Sequence, residues 1–480
     1  MMYQVPKHID RNKIFIVKRS EIEGRLEPEF YKPSIVEIEH IIRKKSTKKL
    51  RDFALYIAGG ATPKKTEGDK YYSDKENGIP FLRVQNLCQD GSVLFDDCVY
   101  ITKEAHEGML RRSQVEEGDL LVKITGVGRM AIASVAPKGF VGNTNQHMIV
   151  IKTKNKEISK YLAHYLNLDM IEKIASRHST GGTRPALDYP SVKAIPIIER
   201  IDFSHIERAI KLKKQKESEA QQLLESIDTY ILNELGITLP EIKTDLKSRI
   251  FLVNRNKLEG RFDPYYSQKH FVDAFSSLYL GKYPVFPLKS LSILITSGIT
   301  PKSGGDAYTE NKELGIPFVR SGNIDINGDL NFNELLYIKP EIHNTIMKSS
   351  QVKPNDLMIA IVGATIGQVG IYLDKRDANI NQAIALVRLK DGNDIHYIKE
   401  VIKSSIGQLS LNRLKRPVAR ANINLEEIST ILVPLPPLVK QHKIASHIYT
   451  IRQRAKTLQE EGKAIVENAK KEIEQMIIGK

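Results

Sequence analysis

The chain is written twice, and that duplication constrains its fold more than any other feature. Residues 14–28 read IFIVKRSEIEGRLEP, and residues 250–264 read IFLVNRNKLEGRFDP, 236 positions further on. The correspondence then continues at offsets of 236 to 238. Gly60, Thr62 and Pro63 match Gly298, Thr300 and Pro301, and GIPFLRVQN (78–86) matches GIPFVRSGN (315–323). Tyr100 and His106 match Tyr337 and His343, SQVEEGDLL (113–121) matches SQVKPNDLM (350–358), and Asn145-Gln146 matches Asn381-Gln382. RPALD, from Arg184, matches RPVARANIN, from Arg416, more loosely. Chance does not give so many matches in register. The chain is two similar halves of roughly 237 residues, and repeats of this kind fold as repeated units.

Each half ends in a long polar segment free of proline. Residues 201–235 place Ile206, Ile210, Ala220, Leu224, Ile227 and Ile231 on one alternating three-and-four spacing, the seam of a coiled coil. Lys213 and Glu217 fall on that seam and weaken its middle, and Gly236 stops the helix. Residues 438–478 repeat the spacing with Ile444, Ile448, Ile451, Ala455, Leu458, Ile465 and Ala469, interrupted at Gly462. A narrow apolar seam on a solvated helix suits another helix. The two segments, each about 50 Å long as helices, are therefore expected to pair within one chain, the alternative being that each packs separately on its own domain.

Ahead of each long helix the pattern is mixed. IPFLRV, DLLVKIT, AIASVAP and MIVIKT read as strands bounded by Gly, Asn, Asp and Pro, while 160–176 and 394–411 read as helices. The expected fold class is α/β: two tandem β-rich α/β domains and two long helices, arranged as an internal repeat. The expected boundaries are 1–198 for the first half, 199–237 for the central helix, 238–437 for the second half and 438–480 for the C-terminal helix.

Lys and Arg outnumber Asp and Glu by 72 to 57, a net charge of +15 with a pI near 9.4, which suits a polyanion such as nucleic acid. Cys88 and Cys98 form no CxxC and imply neither a disulfide framework nor a zinc site. The N-terminus has no apolar signal core, and no apolar run reaches membrane-spanning length, so a cytoplasmic protein is expected.

The layout resembles the specificity (S) subunit of type I restriction-modification systems. The resemblance is carried by the G-x-T-P element of each half, the IPFxRxxN segments, STGGTRPALDYPSVKAIPI (179–197) and VPLPPLVKQHKIASHI (433–448), and it covers essentially the whole chain. One departure is plain. The first half has IPIIERIDFSHIERAI where the second has the Pro-Pro turn and Gln441, so the lead-in to the two long helices should differ. The resemblance implies two target-recognition domains that read a bipartite, asymmetric DNA site, with the two long helices paired as an antiparallel coiled coil of pseudo-twofold symmetry, and a bacterial or archaeal setting of DNA methylation and phage defence. It also implies docking of two methyltransferase subunits, joined by restriction/translocase subunits. S-adenosylmethionine, ATP and Mg are expected on those partners, with no cofactor or metal held by this chain. A rod of about 50 Å would separate the two half-sites by one to two turns of DNA.

Positions shared by the halves serve what both need. Gly60/Gly298 and Gly126/Gly363 read as backbone requirements, and His106/His343, with no repeated carboxylate or second His beside it, as a structural histidine. Arg83/Arg320 and Asn86/Asn323 have two readings. Arg and Asn can read guanine and adenine edges or hold phosphate, or the Arg can pair with a carboxylate while the Asn caps a turn. Lys64, Lys65, Lys123 and Arg129 give the first half a basic set, with Lys302 as the one close counterpart. Arg184, Arg413, Arg416 and Arg420 sit near the domain ends in segments suited to phosphate contacts.

Nothing in the sequence carries catalysis. TGVGRMA, from Thr125, resembles a dinucleotide-binding turn, but no acidic residue stands about 20 positions on and the second half has GATIGQVG instead. GxxxxGK[ST], GxSxG, HExxH and the Asn/Asp-Pro-Pro-Tyr/Phe methyltransferase element are absent. A DNA-binding, non-catalytic subunit is the leading reading. A DNA-modifying enzyme with an unrecognised site and a protein-only coiled-coil scaffold are the alternatives.

Overall fold

The computed structural model describes residues 6, 8–64, 66, 68–241, 250–254, 261–302, 305–416 and 421–479. Contacts divide the chain into two units. The first comprises 1–217 with 459–480, and the second comprises 218–458.

In the first unit a four-stranded antiparallel sheet has the order Ala54–Gly59, Met148–Thr153, Leu120–Lys123, Ala133–Val135. Its inner strands explain their own sequences. Leu120, Val122, Ile149 and Ile151 face a core shared with helices, while Leu121, Met148 and Val150 face a second core beneath another sheet. Successive side chains of a strand point to opposite faces, so a sheet buried on both faces needs continuous apolar runs rather than alternation. The second sheet contains Tyr72–Ser73, Val99–Ile101, Ile79–Leu82, Val141–Thr144 and Gln114–Glu116 in that order. Ile79–Leu82 runs parallel to Val141–Thr144 there.

The second unit repeats this plan. Ser292–Ser297, Ile384–Leu389, Asp356–Ala360 and Val369–Tyr372 form the antiparallel sheet. Leu336–Ile338, Ile316–Val319, Ala378–Ile380 and Gln351–Val352 form the second one. Even the irregularity recurs: the first strand bulges between Ala54 and Tyr56 in one unit and between Ser292 and Leu294 in the other. Each helix expected at 160–176 and 394–411 is broken in two. The pieces are Lys156–Leu166 with Asp169–Arg177, and Ile395–Lys403 with Ser405–Leu414. Asn167 makes the first break by bonding both the N–H and the carbonyl of Ala133, which fastens the helix end to the sheet.

The shared glycines and histidines have physical explanations. A Cβ on Gly60 would lie 2.1 Å from the Asn145 carbonyl oxygen, and one on Gly298 would lie 1.8 Å from that of Ile380. His106 Nδ1 meets Asn143 Oδ1, and His343 Nδ1 meets Asn379 Oδ1, each at 2.5 Å inside the second sheet.

The central helix, Ser204–Leu235, has 32 residues, and the C-terminal helix, Leu438–Ile478, has 41. In the first unit Ile206 and Ala209 share a core with Val466, Ala469, Ile473 and Ile477, with Ile210 and Ile465 packed against it. In the second unit Ile227 and Ile231 share a core with Ile444 and Ile448, with Leu224 and Ile451 at its margin, and Ala220 meets Ala455 and Leu458. Within each unit rising numbers on one helix meet falling numbers on the other, so the segments run antiparallel. The two interruptions of the seam prove to be one feature. Gly462 faces Lys213, where a Cβ would come within 3.3 Å of Lys213 Cγ. The lysine ammonium pairs with Asp90 at 3.4 Å and, along its own helix, with Glu217 at 3.6 Å. Gly236, at φ +68°, ends the central helix, and the Ile237 N–H closes onto the Leu232 carbonyl, a glycine-terminated stop.

The lead-in to the two helices does differ. Asp202 caps Ser204, and Phe203 packs on Tyr161 with ring centroids 5.1 Å apart. In the second unit buried Gln441 accepts from the Asp394 N–H at 2.9 Å and donates to the Pro436 carbonyl at 2.9 Å. A tyrosine ties down the chain ahead of each helix: Tyr161 donates to the Ile198 carbonyl and Tyr397 to that of Pro434.

The repeated arginines Arg25 and Arg261 join a stack of the same construction in each unit. Arg25 and Arg177 flank the Phe30 ring at 4.8 and 4.2 Å, and Arg261 and Arg413 flank the Tyr266 ring at 4.7 and 3.9 Å. In the first unit Arg177 also reaches Glu39, a buried carboxylate bonded by Arg43 at 2.6 Å and by His178 at 3.3 Å. Burial alone would raise the Glu39 pKa. The bonds from His178 and Arg43 and the charge of Arg177 outweigh burial and hold it at about 2. This folded value lies below the ordinary 4.5, so the stabilisation is complete above about pH 4.5 and fades as the pH falls towards 2. Glu39→Gln should cost about 3 kcal/mol at pH 7, with the gap to the parent closing across that acid window in denaturant melts.

Candidate nucleic-acid interface

In each unit two loops are clasped side by side. The first loop leaves strand Leu120–Lys123. The Leu187 N–H donates to the Ile124 carbonyl at 2.8 Å, and the Gly126 N–H donates to the Pro185 carbonyl at 3.0 Å. Thr180 and Ala186 exchange N–H···O bonds of 2.9 and 2.8 Å, so residues 180–186 form a small hairpin. Gly126 at φ +119°, Gly128 at +80° and Gly181 at +93° take backbone conformations that disfavour other residues. In the second unit the Ile423 N–H donates to the Ile361 carbonyl at 3.0 Å, and the Gly363 N–H to that of Ala421 at 3.1 Å. Gly363 and Gly367 lie at φ +77° and +95°.

These bonds correct the loosest part of the internal match. Pro185, Ala186 and Leu187 correspond to Ala421, Asn422 and Ile423, and the helix-capping Asp188 corresponds to the capping Asn424. Arg184 is therefore the counterpart of position 420 rather than of Arg416. Arg420 and Lys65 lie outside the described residues.

The clasp is shared but its contents differ. Lys123 is buried, and its ammonium donates to the Val127 carbonyl at 2.8 Å, bracing the loop from beneath. Burial lowers its pKa, against an opposing pull from Glu172. Arg129 is engaged by Asp169 and donates to the Asn167 carbonyl at 2.6 Å. At the position of Lys123 the second unit has buried Ala360, and its loop is held instead by Gln408, which donates to the Gly367 carbonyl at 3.0 Å. Val127, on the first loop, is 77% exposed.

The other candidates sort by exposure. Lys64, Arg184, Lys302, Arg320 and Arg416 are exposed. Arg416 also reaches Glu427 at 3.4 Å. Lys64 and Lys302 follow prolines whose carbonyls accept from Tyr72 and Tyr308 at 3.0 and 3.1 Å, so both project from fixed turns. Asn86 and Asn323 are buried turn caps: Oδ1 accepts from the Arg83 N–H at 2.8 Å and from the Arg320 N–H at 2.9 Å. Half-buried Arg83 donates to the Asp97 carbonyl at 3.0 Å. Arg413 donates to the Tyr266 carbonyl at 3.0 Å within the aromatic stack. Lys123, Arg129, Asn86, Asn323 and Arg413 are thus engaged within the protein rather than displayed, because each satisfies buried backbone or an ion pair. Residue type marks a hydrogen-bonding group but does not say which way it points.

The apparent dinucleotide turn at 125–131 runs into strand Ala133–Val135, so no helix N-terminus stands behind it to receive a phosphate. Among the described residues no group of three or more His, Cys, Asp or Glu is placed to hold a metal ion, and no helix is long and apolar enough to cross a membrane.

A tandem pair of like-folded α/β domains, each followed by a long helix and each displaying a different loop surface on one frame, defines a duplicated recognition module. The model of the type I restriction modification DNA specificity domain matches residues 43–198 and again 282–468, and the chain belongs to that family of specificity subunits. It is 33% identical over 137 residues to the EcoBI specificity subunit of Escherichia coli, which is 28% of either chain. It is 24% identical over 178 residues to the EcoKI specificity subunit of E. coli strain K12, 36% of this chain and 37% of that one. The alignments thus span well under half of those relatives. The solved HsdS subunit of Thermoanaerobacter tengcongensis aligns over 90% of this chain and 95% of its own at 15% identity, with a TM-score of 0.36.

Replacing a cap should act on stability rather than on base preference. Asn86→Ala strands the Arg83 N–H and the Leu94 carbonyl, and should cost about 1–3 kcal/mol in denaturant melting. It should leave unchanged the ranking of DNA sequences bound by the folded protein.

Proposed function

We propose that this chain is the sequence-specific DNA-binding subunit of a type I restriction-modification complex, recognising a bipartite, asymmetric site. The observation that carries the reading is the shared clasp with unlike contents. The bonds of 124–126 with 185–187 recur at 361–363 with 421–423, while the braces and exposed residues around them differ. A frame kept twice with two different surfaces suits two unlike half-sites. The net charge of +15 favours a polyanion, and exposed Arg184, Lys64 and Lys302 supply phosphate contacts that set affinity and register.

In this reading the chain binds and positions, and its partners do the chemistry. Two methyltransferase subunits dock on it and restriction/translocase subunits join through them. S-adenosylmethionine, ATP and Mg belong to those partners, and the assembly works in the cytoplasm of a bacterium or archaeon.

The test uses the full chain alone and with its methyltransferase partner. The chain alone should bind DNA in a salt-dependent way and neither cleave nor methylate it, and the complex should methylate one two-part motif. Intrinsic activity of the chain would favour an enzyme, and no DNA affinity even with partners would leave a protein scaffold. Arg184→Ala should weaken binding across sequences and reduce the slope of log affinity against log salt by about 1, without changing the methylated motif.

A further inference from the structure

The turn that leads from one sheet to the other is built the same way in both units. The Met148 N–H donates to the Asn145 carbonyl at 3.2 Å, and the Ile384 N–H donates to that of Asn381 at 3.2 Å. Gln146 and Gln382 therefore occupy the same corner of a closed four-residue turn. Backbone bonds fix that turn on both sides. The Asn145 and Asn381 N–H groups donate to the Leu82 and Val319 carbonyls at 3.1 Å each. The His147 and Ala383 carbonyls accept from the N–H groups of Ile124 and Ile361, where the clasp begins, at 2.9 Å each. Gly60 and Gly298 press on the entry to the turn, and exposed Thr62 and Lys64, or Thr300 and Lys302, follow within four residues. Gln146 and Gln382 are both exposed, and neither carboxamide has a hydrogen-bond partner among the described residues. This corner of a turn accepts most residue types, and the next position does change, from His147 to Ala383. The frame gives no reason to keep glutamine twice.

We infer that Gln146 and Gln382 are equivalent base-reading residues, each taking the N6 and N7 edge of one adenine in its own half-site. The inference rests on the proposed function, in which each unit docks on one half-site. The chemistry selects a base over a phosphate. A carboxamide sets an acceptor beside a donor, which complements the amino group and ring nitrogen that adenine shows in the major groove. A phosphate offers acceptors only, so the carboxamide oxygen would go unmet there. The hydroxyl of Thr62 or Thr300 and the ammonium of Lys64 or Lys302 stand close along the chain for phosphates to take. Because the turn is already held by backbone bonds, only side-chain torsions remain to be ordered on contact. Residues that differ around the clasps read what differs between the half-sites, and the shared glutamine reads what they have in common. Two half-sites that are otherwise unlike therefore each carry an A·T pair at the place the turn reaches.

The full chain with its methyltransferase partner is titrated with duplexes of its methylated motif in which one adenine at a time is replaced by 7-deazaadenine, which lacks the N7 acceptor. One adenine in each half-site should prove sensitive, with affinity falling about 5- to 100-fold. Gln146→Ala should abolish that sensitivity in one half-site and relax the preference for A·T there by a similar factor, with the other half-site read as before. Gln382→Ala should do the converse. The slope of log affinity against log salt should stay put, since glutamine neutralises no phosphate. Both variants should melt as the parent does, because the fold loses no bond. Variants that keep the full preference for A·T throughout the motif overturn the inference and leave the function standing. A loss of affinity equal on every sequence makes the glutamines phosphate contacts and overturns it too. A parent complex that methylates no two-part motif overturns the proposed function itself. If an Ala variant melts below the parent, the substituted duplexes decide with the parent chain alone: a half-site with no adenine sensitive to loss of N7 refutes the assignment.

Discussion

Each globular core is closed by segments that lie far apart in the sequence. In the first unit the helical side of the sheet is completed by Ile206 and Ala209 from the central helix and by Val466, Ile473 and Ile477 from the C-terminal one. In the second unit Ile227 and Ile231 meet Ile444 and Ile448 against the corresponding sheet. Burying side chains of this size is worth about 1.5–3 kcal/mol each, comparable in sum to the whole stability of a domain. The helices are therefore part of both cores, and the seam between them follows from the packing that completes each unit. The polar intrusion at Lys213 is matched by the space at Gly462 and by the carboxylate of Asp90.

On that base the two units divide their residues between frame and surface. Frame positions meet backbone or one another: Gly60 against a carbonyl, Asn86 against an N–H, His106 against Asn143. Counterparts at 298, 323 and 343 do the same. Surface positions are free to change because the clasp beneath them is backbone–backbone and indifferent to side chains.

That division also explains how far the sequence can be read. The strands, the antiparallel helices and the structural histidine are legible, because periodicity and internal repetition report directly on burial. The breaks at Asn167 and Ser404 are not: Asn167 fastens its helix to the sheet and the Ser404 hydroxyl turns back onto the Val401 carbonyl, and either leaves the helical pattern on both sides intact. Charge is the least informative guide to the interface. Lys123 and Arg129 look like an exposed basic set in sequence but brace a loop, whereas Arg184 is displayed. A cation on a strand end serves the nearest unpaired carbonyl first, and composition does not say where that carbonyl lies. The arginine of EGR is visible as a repeat, but its partners, Arg177 and Arg413, lie about 150 residues away.

The closure of the first core by residues 459–479 sets an order of events during synthesis. The N-terminal half emerges from the ribosome long before Ile473 and Ile477, so the apolar face they cover stays open while the entire second unit is being made. The nascent protein spends that interval with a sticky, half-finished first lobe. Residues translated after the second unit complete the first, and only then is the apolar face of the first unit covered against aggregation.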